Sequence, residues 1–413
     1  MPRTDVVGEG EGVVGEREGR RRDGGARGAL EGPRRERPER ARRREQGRAE
    51  AEEAPHVHDV VQSHSLKGTV PIVKNRVLFS GGSRMTRALA TLYRLLYDGV
   101  LCRLPESTAI ALGQTALRLI PFDRLGAFRL EDPRLAVTLG GVRLANPLIL
   151  AAMYYDARIL RRAMGLGFGA VTAKSITREA RPGHPQPNLV RVRTAAGPGL
   201  VNCNGFQNPG LEAFSGMLAR IPHRAPLIVS VAGESVDDYV ALVRALGPLG
   251  DLVEFNISSP NTKLVYEWSR RPAELVTLLR AVRAATTKPL IVKLSPDFAD
   301  ANEAQIIPAA LEAGIRIVNY GNTRRVEEPR LSQRAGGLSG PEIFAGTLAN
   351  LRRTRRRFGA ELEIIATGGV DSPDKALELL REGATAVGYF TGFITRGPIL
   401  ARQILERLLD VPT

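Results

Sequence analysis

The run Asn256-Ile257-Ser258-Ser259-Pro260-Asn261-Thr262 gathers amides and hydroxyls directly after an apolar segment, Leu252-Val253-Glu254-Phe255. A continuous apolar run bounded by turn residues reads as a strand covered on both faces. Polar groups crowded at its C-terminal end point to a ligand site, although one such motif alone reads better as a Ser-Pro turn. Lys174, Lys293 and Asn322 end other apolar runs. An ammonium beside a core needs an anionic partner; either lysine taken singly could instead snorkel to solvent. Together with the amides, they predict a flat anionic ligand held by many hydrogen bonds. No histidine stands at these ends, which leaves Ser259 as the candidate for proton transfer. A serine hydroxyl is a weak base. It needs activation, a proton path and a cofactor to take what remains once the proton leaves. Thr262 is close enough in sequence to serve as a relay.

The elements that must position these residues form a repeating pattern. Short aliphatic runs at 147–152, 169–174, 226–232, 251–257, 289–294, 315–321, 363–368 and 384–390 alternate with helical patterns such as 236–246, 272–285 and 373–382. Eight strand–helix units predict a (β/α)8 TIM barrel, for which ~250 residues is typical. An open doubly wound sheet would carry a glycine fingerprint after its first strand, and the turn after Ala152 reads Met-Tyr-Tyr-Asp. In a barrel the site lies at the strand C-termini, and phosphate often binds after strands seven and eight. Those loops read Thr367-Gly368-Gly369 and Phe390-Thr391-Gly392. Glycines there let backbone N–H groups approach a phosphate.

The chain has 413 residues and a formal net charge of +15. Much of the arginine lies in the first fifty residues, mixed with Glu, Gly and Pro, a composition that cannot bury enough surface to fold. Residues 1–84 are therefore expected to form a disordered tail, too acidic for a mitochondrial transit peptide, and Met85 is an alternative start. No nucleic-acid partner is expected. Two cysteines without metal-ligand spacing argue against disulfides and a metal site. Residues 85–122 predict a helical hairpin, with apolar stripes Leu89, Leu92, Leu96, Val100 and Ala109, Leu112, Ala116, Leu119 near Arg87, Arg94 and Arg103. Periodicity alone favours a pair capping the barrel at 130–413; the sharper reading is an interfacial pair on a membrane. No apolar run reaches the ~20 residues needed to span a bilayer.

FNISSPNT (255–262), VKLSPDF (292–298), GGLSG (336–340), ATGGVDS (366–372) and YFTGFITRGP (389–398), in this order, resemble the dihydroorotate dehydrogenases. The resemblance spans about 86–410. It implies FMN-dependent oxidation of dihydroorotate to orotate in pyrimidine biosynthesis, with Ser259 as base. A serine there, with a hairpin before the barrel, is the pattern of the quinone-reducing, peripherally membrane-bound class 2. That implies the cytoplasmic side of the inner membrane, or the cytoplasm if the hairpin is only structural. Phe206 and Thr262 match the pair flanking the class 2 proton path. Flavin positions implied by the match are Ala152, Lys174, Ser175, Ser230, Asn256, Lys293, Gly340, Gly369, Phe390 and Thr391. Implied substrate positions are Asn202, Cys203, Asn204, Gly205, Phe206, Asn261, Asn322 and Thr323.

The front half departs from class 2. The first loop lacks its usual lysine, and Ala173-Lys174-Ser175-Ile176-Thr177, GFQNPG (205–210) and SVAGES (230–235) lean towards the soluble class 1. Two alternatives follow: a flavoenzyme acting on another dihydropyrimidine or on uracil in RNA, and a flavin-binding barrel without turnover.

Overall fold

The computed structural model describes residues 83–258 and 271–411. Eight parallel strands close into a barrel: β3 (Leu148–Tyr154), β4 (Ala170–Ala173), β7 (Leu227–Val231), β8 (Leu252–Asn256), β9 (Leu290–Leu294), β10 (Ile317–Tyr320), β13 (Glu363–Thr367) and β14 (Ala386–Tyr389). Each expected apolar run coincides with one of them, although β3 continues through Met153 and Tyr154, which were expected in the turn, with Tyr154 pairing with Ala173 after a register shift. A short hairpin, β1 (Val137–Leu139) and β2 (Val142–Leu144), precedes the barrel. Four further strands were not anticipated. They are β5 (Leu189–Thr194), β6 (Gly197–Asn202), β11 (Arg324–Glu327) and β12 (Ala335–Ser339), and they form a separate antiparallel sheet in the order β11-β12-β6-β5.

The strands read as apolar because the surrounding helices cover their outer faces. The helix Val236–Leu246 shows how. Ser235 caps its start by accepting from the Asp238 N–H, and Tyr239, Leu242, Val243 and Leu246 form its buried face. Such a cap is worth about 1 kcal/mol.

Side chains inside the barrel are sorted by height. One apolar cluster takes a residue from every barrel strand: Ile149, Ala170, Ile228, Leu252, Ile291, Ile317, Ile365 and Ala386, with Leu139 and Leu144 of the β1–β2 hairpin. Side chains from all eight strands can meet only inside, so this layer fills the lower barrel. Two residues further along, side chains return to the same face. That step brings in Thr172, Ser230, Glu254, Lys293, Asn319 and Thr367, all buried. The interior thus changes from hydrocarbon to polar within one pleat, just below the strand C-termini.

Helices α1 (Arg84–Gly99) and α2 (Glu106–Leu119) stand before the barrel. Their expected apolar stripe is not the packed face of α1. Thr86 and Tyr97 are buried, with Leu89 and Ala90 packed against the core, while Leu92, Leu96 and Val100 are exposed. Leu117 of α2 is buried in the same core, and polar contacts add to this packing. Thr86 Oγ1 donates to Glu406 at 2.9 Å, and the Tyr93 hydroxyl donates to the Ile394 carbonyl at 2.7 Å. Arg191 on β5 donates to the carbonyls of Leu101 and Leu104 and pairs with Glu106. Arg118 pairs with Asp156 at 2.9 Å. Asp156 also caps helix α3 (Ala157–Ala163) by accepting from the N–H groups of Arg158 and Ile159.

Candidate active site

A cleft with about 1140 Å³ of atom-free space, its open mouth included, lies at the C-terminal end of the barrel. Its floor and walls come from the strand ends; Leu189, Leu200, Asn202 and Ser339 bring in the antiparallel sheet as a roof.

Most of the residues singled out in the sequence converge here. Ala152, Lys174, Ser175, Asn256, Lys293, Gly340, Gly369, Phe390 and Thr391 line the cleft, as do Asn202, Asn204, Phe206, Asn322 and Thr323. Three others do not line it. Ser230 lies one layer below, joined to Ser175 Oγ at 2.9 Å. Cys203 packs into the small apolar cluster around Leu331 and Leu338, its Sγ 3.8 Å from Ser332 Oγ. Gly205 lies under the His184 ring, where an added Cβ would come within 2.8 Å of it. Ser259, Asn261 and Thr262 lie outside the described residues. The chain leading to them is well held: Ser258 Oγ donates to the Lys293 carbonyl at 2.9 Å, and Asn322 Nδ2 donates to Ser258 Oγ at 3.2 Å.

The glycines expected at a phosphate site have no room for a side chain. Gly369 has φ +79°, and a Cβ there would lie 2.4 Å from Phe344 Cα. Gly340 has φ +111°, and its Cβ would approach Gly199 Cα at 2.9 Å. Thr391 Oγ1 shares the rim, donating to Ser339 Oγ at 2.9 Å. The loop after β13 is braced from outside the cleft. Lys375 bonds Asp371 at 2.8 Å and the Gly369 carbonyl at 3.4 Å, and Arg396 holds the other Asp371 oxygen at 2.9 Å. The loops after β13 and β14 are thus tied together through Asp371 and Arg396, and both line the cleft.

The two lysines differ. The Lys293 ammonium lies 3.3 Å from Glu254 Oε1, both side chains nearly sealed from solvent at 7% and 1% exposed. Ser230 Oγ donates to the same oxygen at 2.9 Å, and Asn319 Nδ2 donates to Oε2 at 2.6 Å. Since a carboxylate only accepts, Ser175 must donate to Ser230, and Asn256 Nδ2 donates in turn to Ser175 at 3.1 Å. All these donors run down to Glu254, which the sequence reading passed over as part of an apolar strand. An acid in the middle of such a run was the available signal. Removing one member of a buried pair costs about 3–5 kcal/mol, because the other charge is stranded. Lys174 has no anionic partner among the described residues, and burial pushes its ammonium down to about 8. The demand for an anionic ligand therefore rests on Lys174, whereas Lys293 already has a carboxylate.

Residues 134–411 match the family model described as dihydroorotate dehydrogenase. A protein of Clavibacter sepedonicus named dihydroorotate dehydrogenase (quinone) is 36% identical over 340 residues, 76% of this chain and 97% of its own length. Its namesake in Myxococcus xanthus is 38% identical over 293 residues, 67% of this chain and 80% of that protein. Among solved structures, the Eimeria tenella enzyme crystallised with ferulenol superposes with a TM-score of 0.65 at 26% identity, covering 76% of this chain and 94% of that one. The chain belongs to the dihydroorotate dehydrogenase family.

Proposed function

We propose that the cleft divides the work of this family's reaction among Ser259, Lys174, Lys293 and the glycine loops, and that the exposed hairpin receives the electron acceptor. The reaction is the oxidation of dihydroorotate to orotate in pyrimidine biosynthesis, with FMN as cofactor and a quinone as acceptor. The residues present fit FMN: glycines whose Cβ atoms would collide with their surroundings leave a backbone cradle for a phosphate, and a lysine and amides line the cleft beside it. When bound, FMN would supply the hydride acceptor for the substrate and the route by which electrons reach the quinone.

The chain's own residues do the rest. Ser259 takes the C5 proton of dihydroorotate. Asn256 and Asn322 hold the chain that leads to it, and Asn202, Asn261 and Asn322 offer paired donors and acceptors to the pyrimidine edge. Lys174 holds an anionic group of flavin or substrate. Lys293 would hold the end of the flavin that gains electron density on reduction. The single observation that carries this reading is the convergence of fourteen sequence-selected residues on one cleft over the strand ends.

The hairpin supports the quinone assignment. Among the described residues, every exposed large apolar side chain lies between Met85 and Leu125, including Leu92 at 63%, Leu95 at 67% and Leu119 at 69% exposed. An apolar face of this size marks an interaction site, and the exposed Arg87, Arg94 and Arg103 beside it suit an anionic membrane surface. No helix among the described residues is long and apolar enough to cross a membrane, and the contact proposed here is a peripheral one.

Anaerobic titration tests the proposal. Purified protein should carry FMN and bleach on addition of dihydroorotate. Ser259→Ala should keep its flavin and bleach at least about 100-fold more slowly, the lower range for general acid–base catalysis. Bleaching of that variant at the normal rate would move the base to another residue.

A further inference from the structure

We infer that Glu254 is a positioning residue that sets the reduction potential of the flavin through Lys293. This rests on the reading above that Lys293 lies beside the flavin. Three facts carry it. Glu254 reaches no ligand itself: it lies one layer below the cleft, 1% exposed, and is absent from the cleft lining. Lys293, which does line the cleft, has Glu254 as its one charged partner among the described residues, at 3.3 Å. The carboxylate is itself fixed from both sides, Oε1 by Ser230 at 2.9 Å and Oε2 by Asn319 at 2.6 Å, so it cannot swing away.

An ammonium has three N–H donors. With one directed at Glu254, the others remain available to a ligand in the cleft, so Lys293 can touch the flavin while its charge is largely balanced from below. Charge near the flavin ring tunes its electronics. Reduction by hydride adds negative charge to the flavin, which an unbalanced lysine would favour strongly in a low-dielectric site. The Glu254 carboxylate offsets that preference. It keeps reduction by the substrate from running too far downhill, so that the electrons still leave readily for the quinone.

The register explains why these residues meet. Asn256 on β8 pairs with Lys293 on β9, and Lys293 pairs with Asn319 on β10. Glu254, two residues before Asn256, therefore lies on the same interior face, one step below the ammonium. Ser230 on β7 is directly in register with Glu254. Four neighbouring strands each contribute one member.

The test measures the midpoint potential of bound FMN in the full-length holoenzyme by dye-coupled reduction. The variants are Glu254→Gln, Lys293→Met and the double variant. Flavin affinity for the apoprotein is measured alongside by fluorescence quenching. Glu254→Gln should favour the reduced flavin at least tenfold, about 30 mV upward for a two-electron couple. Lys293→Met should shift the potential downward, and in that background Glu254→Gln should change it less than threefold. Should Glu254→Gln fail to load flavin, Glu254→Asp carries the test. Its charge is drawn back by one methylene, and a rise of at least threefold is expected. An unchanged or lowered potential in whichever Glu254 variant loads flavin overturns the inference. An equal rise with and without Lys293 overturns it too, because Glu254 would then act on the flavin directly. If Lys293→Met alone leaves the potential unmoved, the assignment of Lys293 to the flavin is what fails.

Discussion

At the barrel mouth polar side chains are buried and paired, whereas on the hairpin α1–α2 apolar side chains stand in the open. Below the mouth, Glu254 accepts from Lys293, Ser230 and Asn319 inside the barrel. On the hairpin, Leu92, Leu95 and Leu119 are more than 60% exposed, and hydrogen bonds from Thr86, Tyr93 and Arg191 attach it to the barrel. Each region inverts the usual rule that apolar groups go inside and charges outside. Their different stiffness follows from this. A strand residue is fixed by ladders on both sides, while the hairpin is held by side chains alone, among them Leu89, Ala90 and Leu117 packed against the core. The comparison teaches that the two half-reactions have separate supports. On the proposed function, flavin reduction would depend on the barrel layer, and electron release to a quinone on the exposed face.

The sharpest way to break this division is at the cradle. Gly369→Val should lower FMN affinity more than 100-fold. A Cβ there would meet the Phe344 backbone at 2.4 Å, and φ +79° adds about 1–2 kcal/mol of strain for an L-residue. Far-ultraviolet circular dichroism should show the barrel intact, because the substitution lies in a loop. A variant that still binds FMN tightly would remove the phosphate from this loop.

Lys174→Met comes next. The ammonium is pushed from an ordinary value of 10.5 down to about 8 by burial. Between these values the unfolded chain binds more protons than the folded one, so the apoprotein gains stability as pH rises from about 8 towards 10.5. Below pH 8 the buried charge is a penalty. Lys174→Met should therefore raise the melting temperature of the apoprotein at pH 7 and flatten its rise between pH 8 and 10. The same change should weaken flavin or substrate binding about tenfold, since a charge-assisted hydrogen bond is worth ~1.5–3 kcal/mol. In the native enzyme that binding should fall as pH passes 8 and the ammonium is lost. Unchanged binding would make the lysine a feature of the scaffold alone.

These two residues also show what could be read from the sequence and what could not. The eight barrel strands are legible because a strand covered on both faces must be apolar throughout, and all eight expected runs coincide with one. Strand ends such as Lys174 and Asn256 stand out because they interrupt such runs. The sheet of β5, β6, β11 and β12 was missed. Its strands carry arginine and glycine and are unevenly covered, so they lack a continuous apolar signal; the alternation in Leu189–Thr194 was the hint. Glu254 was missed because its partner lies almost forty residues away, and register between strands is set by the closed barrel rather than by local pattern. The stripe on α1 allowed two readings, a pair capping the barrel or an interfacial pair, and Leu92 and Leu96 face outward. Periodicity shows that a helix is amphipathic without showing what lies against its apolar side.

The exposed face is tested by Leu92→Gln with Leu95→Gln. Each leucine loses up to about 1.5–3 kcal/mol of burial in an apolar phase. Binding to vesicles of phosphatidylethanolamine and phosphatidylglycerol should fall roughly tenfold, and stopped-flow reoxidation by a long-chain quinone should slow several-fold. Reduction by dihydroorotate should not change. Slowing of both half-reactions would break the division between barrel and hairpin; slowing of neither would direct the electrons to a soluble acceptor.

The smallest effect is expected at the joint between the two regions. Arg118 of α2 pairs with Asp156, which occupies the loop after β3 and caps α3. The pair is part-exposed, 38% for Arg118 and 28% for Asp156. Such contacts are typically worth 0.2–1 kcal/mol, which is at most about fivefold in an equilibrium. Arg118→Ala should therefore leave FMN affinity and flavin reduction within experimental error, because Asp156 keeps its backbone donors from Arg158 and Ile159. Quinone reoxidation should slow by no more than that factor, through a hairpin held less firmly. Arg191→Ala is the internal standard, since it loses two carbonyl contacts and the Glu106 pair together and should slow reoxidation more. If Arg118→Ala instead slows flavin reduction, the hairpin and the first barrel loop act as one unit. The boundary between the half-reactions would then run through the site rather than around it.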